Sequence, residues 1–263
     1  MTPAPIVAGV AESELGETPD RTWLENAAVA SVRALDDAGL TLEDLDGLSV
    51  AGAHDHLPTL LLGEYLGIDR PAYIDGTDVG GASFERFVET TAQAMASDDV
   101  DVVLVAYGSS HRTNPQGNPE LDGAHPVDQF TEFAGTFTPV SQYALAAQRH
   151  MHEHGTTREQ LAKVSVKNKR HAANNPYAQF QREVGVDDVL DSYPVAPPLC
   201  LLDCSGITDG AAGLLLVSES KARELTDTVA YVTGSGQSCM ASNSINNLPS
   251  MSAWPQATVA AEE

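Results

Sequence analysis

The stretch Asp78-Val79-Gly80-Gly81-Ala82-Ser83-Phe84 decides the fold, because it joins an apolar run that ends near Ile74 to a long helical pattern. The double glycine permits positive φ angles and lets a ligand or another helix approach the backbone closely. In a mixed α/β chain, a sharp strand-to-helix turn often presents a reactive side chain at the helix N-terminus, where amides and the helix dipole lower the pKa of a thiol or hydroxyl. The sequence has the turn but places no cysteine in it.

The patterns on both sides of the turn alternate between strands and helices. Downstream, apolar residues recur at spacings of three and four, as on a buried helix face: Phe84, Phe87, Val88, Thr91 and Met95. The run at 102–106 is apolar and largely β-branched, as in a strand covered on both faces. Upstream, we predict strands at 5–10 and 45–50 and helices at 22–38 and 57–66. This order predicts an α/β fold with a parallel, layered sheet.

The helix predicted at 22–38 has clear boundaries, since it starts at Thr22 and stops at Gly39. We expect its buried face to consist of Leu24, Ala27, Ala28, Val32 and Leu35.

The region from Ser109 to about Pro198 is rich in Asn, Gln, His, Pro and aromatic residues and has helical patterns at 139–154 and 158–170. It predicts an insertion lying over the sheet, which resumes at 211–217. The predicted organisation is an N-terminal core at 1–108, an inserted helical loop domain at 109–200, a return to the core at 201–227 and the start of a second half at 228–263.

The last segment resembles the beginning of the chain. Residues 229–234 repeat the character of the opening strand, and a helix predicted from Trp254 ends after about two turns. We expect the chain to stop inside a second copy of its own first strand, loop and helix.

The net charge of -23 argues against nucleic acid or an anionic membrane as a partner, because both require a cationic surface. One interpretation of this charge is a soluble, self-repelling acidic surface. The other interpretation, which we favour, is halophilic adaptation to high intracellular salt, because salt would screen that repulsion.

The three cysteines show no zinc spacing, and the sequence shows no signal peptide and no apolar run near the roughly 20 residues of a membrane span. We therefore expect a cytoplasmic protein with free thiols.

Two histidine-rich runs could bind metal, but both are weak candidates. His150 and His154 would share a helix face, yet Met151 stands where a metalloprotease helix has its glutamate, so a solvated helix end is favoured. His54-Asp55-His56 is interpreted as a loop.

The sequence also gives little support for nucleotide binding, because Gly234-Ser235-Gly236 lacks the third glycine of a dinucleotide motif.

Lys167-Asn168-Lys169-Arg170-His171 forms the one basic cluster of an acidic chain and is followed by an amide-rich run, 172–181. It is either a helix C-terminus whose cations complement the dipole or an anion site for the phosphates of a large cofactor-like substrate.

The loop Cys204–Gly213 consists mostly of small residues. It either packs its backbone against a helix or forms a wall for a ligand chain, with Ser205 and Thr208 as hydrogen-bonding residues.

Taken together, these motifs resemble the sterol carrier protein-type thiolases. The resemblance rests on the 167–171 cluster, on Asn174-Asn175-Pro176-Tyr177 and on Asp209-Gly210-Ala211-Ala212. The glycine turn together with the run at 103–109 is similar to a cysteine-lacking branch that includes retro-aldolases of steroid side-chain breakdown. The resemblance implies a layered α/β fold of two similar halves, the first with a parallel-rich mixed sheet, helices on both of its faces and an inserted helical loop domain. It also implies a dimer, coenzyme A thioesters as substrates with no bound cofactor, and a small OB-fold partner with a zinc ribbon.

Two departures from the family pattern bear on the chemistry. The family's nucleophilic cysteine would fall at Gly81 or Ala82, and neither can attack a thioester. The Gly-His-Pro loop and second cysteine of the family's other half do not occur in the sequence. The catalytic residues are therefore unknown, and we expect a base from segments absent here or from another subunit.

The resemblance implies an acetyl-CoA acetyltransferase-like C-acyltransferase or a retro-aldolase working without a cysteine nucleophile. The alternative is a noncatalytic acyl-coenzyme A-binding or assembly subunit, or an inactive remnant. Gly81 and Ala82 would give space and an amide for the oxyanion, and Ser83 would pack or cap the helix N-terminus. The expected substrate-binding residues are Gly80, Gly81, Ser83, Lys167, Asn168, His171, Ser205 and Thr208.

Overall fold

The computed structural model describes residues 5–52, 55–97, 99–115, 139–225, 229–239, 250 and 252–262. The chain forms two compact units: Met1–Gln116 with Ile207–Gln237 and the last residue, and Gly117–Gly206 with Ser238–Glu262. The domain boundaries given above stay predictions, and His54 of the predicted His54-Asp55-His56 loop lies outside the described residues. None of the described helices is both long and apolar enough to cross a membrane.

The predicted helices and strands occur in the predicted order. The strands are β1 (Ile6–Glu12), β2 (Gly47–Val50), β3 (Tyr73–Asp75), β4 (Val102–Ser109), β5 (Pro194–Ala196), β6 (Leu199–Cys200), β7 (Gly210–Val217) and β8 (Ala230–Tyr231). The helices are α1 (Trp23–Ala38), α2 (Pro58–Leu66), α3 (Ser83–Ser97), α4 (Pro139–His154), α5 (Arg158–Ala173), α6 (Val186–Leu190), α7 (Glu219–Ala222) and α8 (Pro255–Glu262). The structure adds β5, β6 and α6 to the predicted elements.

The first unit contains a mixed six-stranded sheet in the order β3-β2-β4-β7-β1-β8. β2 pairs in parallel with β3 and β4, whereas β7 is antiparallel to both β4 and β1, and β8 is antiparallel to β1. The strands β1 to β4 therefore all run in one direction, as the sequence pattern predicted. The sequence did not predict that β7 would lie between β1 and β4 and run against them.

Helices cover both faces of this sheet, which confirms the layered α/β prediction. Leu104 on β4 belongs to the core cluster that includes α1 and α2, whereas its neighbour Val105 belongs to the cluster that includes Phe87 of α3. Successive side chains of a strand point to opposite faces, so a fully apolar strand serves two cores. The buried run at 102–106 is the central strand of this arrangement.

Helix α1 begins and ends where the sequence predicted. The Thr22 side chain accepts from the Glu25 amide and the Glu25 carboxylate accepts from the Thr22 amide, which is a capping box. Gly39 adopts the left-handed conformation as the C-cap. The predicted buried face is wrong at Val32, which is 42% exposed. The buried face instead runs through small side chains: Ala27, Ala30, Ser31, Ala34 and Ala38.

The small face of α1 lies directly on three glycines, one from each of three adjacent strands. A Cβ on Gly9 of β1 would come within 2.3 Å of the Ala34 carbonyl oxygen, and one on Gly213 of β7 within 2.8 Å of the Ala30 carbonyl oxygen. A Cβ on Gly108 of β4 would likewise come within 2.3 Å of the Trp23 carbonyl oxygen. The backbone packing proposed for the small-residue loop is therefore present at Gly213.

The second unit is built from α4, α5, α6 and the β5–β6 hairpin. Thr157 caps α5 through a capping box with Gln160. One face of α5 packs on the turn after β6, where Arg158 pairs with Asp203 at 2.7 Å and the Ser165 hydroxyl donates to the same carboxylate at 3.3 Å. Both side chains of the ion pair are largely buried, so they fix α5 on this turn.

Candidate active site

The glycine turn lies at the edge of the sheet where β2, β3 and β4 end. These three strands are parallel, so their carboxyl ends meet at one edge. The turn connects β3 to α3, and Gly80 adopts a φ of 79°, a conformation that L-residues other than glycine rarely adopt. The strand-to-helix turn that the sequence predicted is therefore present.

The carboxylate of Asp78 organises the turn. It accepts hydrogen bonds from the Gly80 amide at 2.8 Å and from the Gly52 amide at 3.2 Å. The Ser83 hydroxyl lies 3.5 Å from the same carboxylate. Because Gly52 directly follows β2, Asp78 links the end of that strand to the start of α3. The sequence analysis did not identify Asp78 as a functional residue.

Ser83 stabilises the turn, as its predicted packing or capping role requires. Its side chain is buried. Its hydroxyl donates to the Gly80 carbonyl at 2.6 Å and accepts from the Val79 amide at 2.9 Å. A hydroxyl held by two bonds inside the turn is poorly placed to act as a nucleophile.

The position expected for the family nucleophile faces open space. No described atom lies within 4 Å of a Cβ built on Gly81, and Gly81 and Ala82 are both exposed. The ring of Phe84, at the start of α3, packs edge-on against Tyr107 of β4 at a centroid distance of 5.7 Å. The turn therefore offers room beside a fixed aromatic pair.

The thiol of Cys204 is a poor substitute for the missing nucleophile. Cys204 lies in the second unit, where its thiol donates to the Cys200 carbonyl at 3.4 Å. Burial raises the pKa of the Cys204 thiol, and the neighbouring Asp203 and Cys200 raise it further. Such a thiol is a poor nucleophile at neutral pH because the thiolate is the reactive form.

Asp209, from the Asp-Gly-Ala-Ala motif, is fully buried and ties together the loops after β1 and β4. Its carboxylate accepts from the Thr18 amide at 3.0 Å, the Arg112 amide at 2.7 Å and the Thr113 hydroxyl at 2.6 Å. Burial by itself would raise the pKa of Asp209, but these hydrogen bonds outweigh it and hold the pKa below its usual value. The role that the contacts support is structural.

The second unit contains a cavity of about 290 Å³ with two cationic side chains on its wall, Lys169 and Arg182. The Lys169 ammonium lies 4.8 Å from the centre of the Phe180 ring, within the range of a cation–π interaction. Val184, Asp188 and Leu202 complete the lining. Cationic and aromatic groups around one cavity are suited to a phosphate next to a flat ring.

The predicted binding residues fall in both units. Gly80, Gly81, Ser83 and Thr208 belong to the first unit, whereas Lys167, Asn168, His171 and Ser205 belong to the second. Lys167, Asn168 and His171 are exposed on α5 and are not among the residues that line the cavity. Their binding roles stay predictions. The sequence analysis missed Arg182, although Lys169 and Phe180 lie in the basic and amide-rich runs that it singled out.

The fold and the turn define the class of protein as a thiolase-like layered α/β protein whose strand-to-helix turn lacks a thiol. The family of the thiolase N-terminal domain matches residues 15–220, so the chain belongs to the thiolase family.

Two relatives with different named activities illustrate the similarity. An acetyl-CoA acetyltransferase of Methanothermobacter thermautotrophicus is 37% identical over 88% of this chain and 61% of its own length. A steroid side-chain-cleaving aldolase of Thermomonospora curvata is 31% identical over 89% of this chain and 62% of its own. The chain thus spans about three fifths of the length of these relatives.

A solved structure of similar shape is the Ltp2-ChsH2(DUF35) aldolase. It superimposes with a TM-score of 0.86 at 28% identity and covers 97% of this chain and 67% of its own. A monomeric SCP2-thiolase-like protein from Mycobacterium smegmatis shares the fold, with a TM-score of 0.78 at 19% identity over 100% of this chain and 56% of its own.

Proposed function

We propose that this protein cleaves a carbon–carbon bond of a β-hydroxyacyl coenzyme A thioester by a retro-aldol reaction, without an acyl-enzyme intermediate. The observation that carries the proposal is the strand-to-helix turn at Gly80 and Gly81. No described atom lies within 4 Å of a Cβ built on Gly81, one of the two positions where the resemblance places the family's thiol. The likeness to steroid side-chain-cleaving aldolases over most of the chain supports the same reaction class.

The retro-aldol step needs a base and an oxyanion site but no nucleophile. The base removes the proton of the β-hydroxyl group, the Cα–Cβ bond breaks, and a carbonyl forms at the former β-carbon. The electron pair passes into the thioester as an enolate, which takes up a proton at Cα to give the shortened thioester. Thiolase acyl transfer, by contrast, requires a thiolate to accept the acyl group.

In this proposal the glycine turn provides room for the substrate and a backbone amide at the helix N-terminus for the thioester oxygen. Amides there carry partial positive charge, which stabilises a developing oxyanion. Asp78 holds the turn against the end of β2 through the Gly52 amide. The base is not assigned to any described residue.

We propose that the cavity of the second unit takes the nucleotide end of coenzyme A. Its two cations would contact the phosphates, and the Phe180 ring would contact the adenine. The expected substrate-binding roles of five further residues remain predictions: Lys167, Asn168, His171, Ser205 and Thr208.

The test uses the purified chain with two classes of thioester. Incubation with β-hydroxyacyl thioesters is expected to release a carbonyl compound and a shorter thioester, detected by mass spectrometry. Acetoacetyl-coenzyme A with free coenzyme A is expected to remain unchanged. Calorimetric binding of the thioesters without turnover, with or without an added C-terminal half, would contradict the enzymatic proposal and favour a binding subunit.

The proposed assembly is a homodimer that also contacts an OB-fold partner with a zinc ribbon. Edge strand β3 exposes Ile74, and the neighbouring α2 and glycine turn expose Leu60, Tyr65 and Val79, each by about half. Exposed apolar residues beside an open strand edge favour association.

We also propose a cytoplasmic location. Free thiols agree with a reducing compartment, and the described cysteines are all free: Cys200, Cys204 and Cys239.

A further inference from the structure

The structure brings two histidines together on the last two turns of α4. The rings of His150 and His154 have a centroid distance of 4.6 Å and an interplanar angle of 47°. They are four residues apart, so the helix places them on the same face. The sequence favoured a solvated helix end here, but two histidines four residues apart on one helix face are also an arrangement in which two imidazoles bind one metal ion.

A neighbouring hydroxyl orients one of these rings. The Nδ1 atom of His150 lies 3.1 Å from the Thr156 hydroxyl, which follows the helix in the chain. A hydrogen bond at one ring nitrogen fixes the ring and directs the other nitrogen outward, which is the usual support of a metal-bound histidine. In such a site Nε2 of His150 would be the ligand atom.

The surroundings of the pair favour a cation. The C-terminal end of a helix carries partial negative charge, and the protein has a net charge of -23. The nearby Glu153 carboxylate is already held by Arg149 and the Ser252 hydroxyl. Among the described residues no group of three His, Cys, Asp or Glu side chains could hold a metal ion. Water would therefore have to complete the coordination.

We propose that His150 and His154 chelate one divalent transition-metal ion of the Zn²⁺ or Ni²⁺ type, with water at the remaining positions. Imidazole suits these ions, whereas Mg²⁺ prefers oxygen ligands. With two protein ligands the ion is exchangeable, and it links the final turn of α4 to the turn before it. The site is independent of the proposed aldolase reaction.

The test is calorimetric titration of the chelator-treated chain with NiCl₂ or ZnCl₂ in 1 M KCl, where salt screens binding to scattered carboxylates. We expect one ion per chain. His150→Ala and His154→Ala are each expected to remove this binding, and Thr156→Val to weaken it by about tenfold through loss of the ring's support.

The matched control is His152→Ala, which removes a histidine of the same helix turn from outside the pair. It should leave both affinity and stoichiometry unchanged, and MgCl₂ should give no signal that depends on His150. Circular dichroism of each variant would confirm that α4 still forms. Absence of nickel and zinc binding by the wild type, or equal loss in His152→Ala and His154→Ala, would overturn the proposal.

Discussion

The backbone amide of Gly52 donates a hydrogen bond of 3.2 Å to the carboxylate of Asp78 and so links the end of β2 to the turn before α3. The same carboxylate accepts from the Gly80 amide at 2.8 Å. A single side chain thus sets the position of the turn relative to the sheet edge, where the proposed reaction takes place.

We expect Asp78→Ala to reduce the proposed cleavage far more than it reduces stability. Loss of these exposed hydrogen bonds is expected to lower the free energy of unfolding by about 1 kcal/mol. A shift of the proposed oxyanion-binding amide by about 1 Å is expected to lower the cleavage rate by about 100-fold. Thermal unfolding and initial rates measure the two effects. Asp20→Ala, which removes a carboxylate outside the turn, serves as the control, and an unchanged kcat in Asp78→Ala would rule out this positioning role.

Gly81→Cys is expected to fold normally and to expose a reactive thiol. The site has room for the side chain, and a helix N-terminus lowers the thiol pKa. Peptide mapping after incubation with acetyl-coenzyme A should show an acetyl group on the new cysteine. The control is Gly80→Cys. Position 80 has a positive φ of 79°, so this substitution is expected to lower the free energy of unfolding by about 1–2 kcal/mol. A thiol at position 81 that resists both alkylation and acylation would contradict the assignment of this position.

Gly9→Ala is expected to destabilise the first unit by about 1–3 kcal/mol, the usual cost of overpacking a core. The new methyl group would meet the Ala34 carbonyl oxygen, a backbone atom that cannot rotate away. Urea denaturation measures the change. Gly234→Ala is the control, because no described atom lies within 4 Å of its Cβ position. Equal stability of the two variants would show that α1 does not depend on this close approach.

Asp209→Asn is expected to lower stability at neutral pH and to matter less in acid. The folded pKa of Asp209 lies below the usual value, and the unfolded value is about 3.9. The carboxylate therefore contributes stability above the unfolded pKa and loses it as the pH falls through the folded pKa. Denaturation at several pH values should show a constant difference from wild type near pH 7 and a smaller one below about pH 4. A difference that does not shrink in acid would contradict the assigned ionisation.

The melting temperature is expected to rise with KCl, since salt screens the repulsion within a chain of net charge -23. Most of this screening should be complete by about 1 M, where the Debye length is about 3 Å. A thermal unfolding series from low salt to several molar KCl tests the halophilic proposal. Indifference to salt would remove its support.

The sequence by itself determined the local elements of this protein and their order. Thr22 and Gly39 mark the ends of α1 because capping depends on neighbouring residues alone. The glycine turn and the doubly covered strand β4 were also predicted, since both follow from short-range composition and periodicity. The sequence also shows that neither Gly81 nor Ala82, where the resemblance places the family's nucleophile, carries a thiol.

Only the tertiary structure decided which distant segments meet. β7 enters the sheet between β1 and β4 although about 100 residues separate it from β4 along the chain. Val32 is exposed because the close approach of α1 to Gly9, Gly108 and Gly213 selects its alanine face. Lys169, rather than Lys167, reaches the cavity because the two point in different directions from α5. These outcomes depend on packing between residues far apart in sequence, which local propensity does not encode.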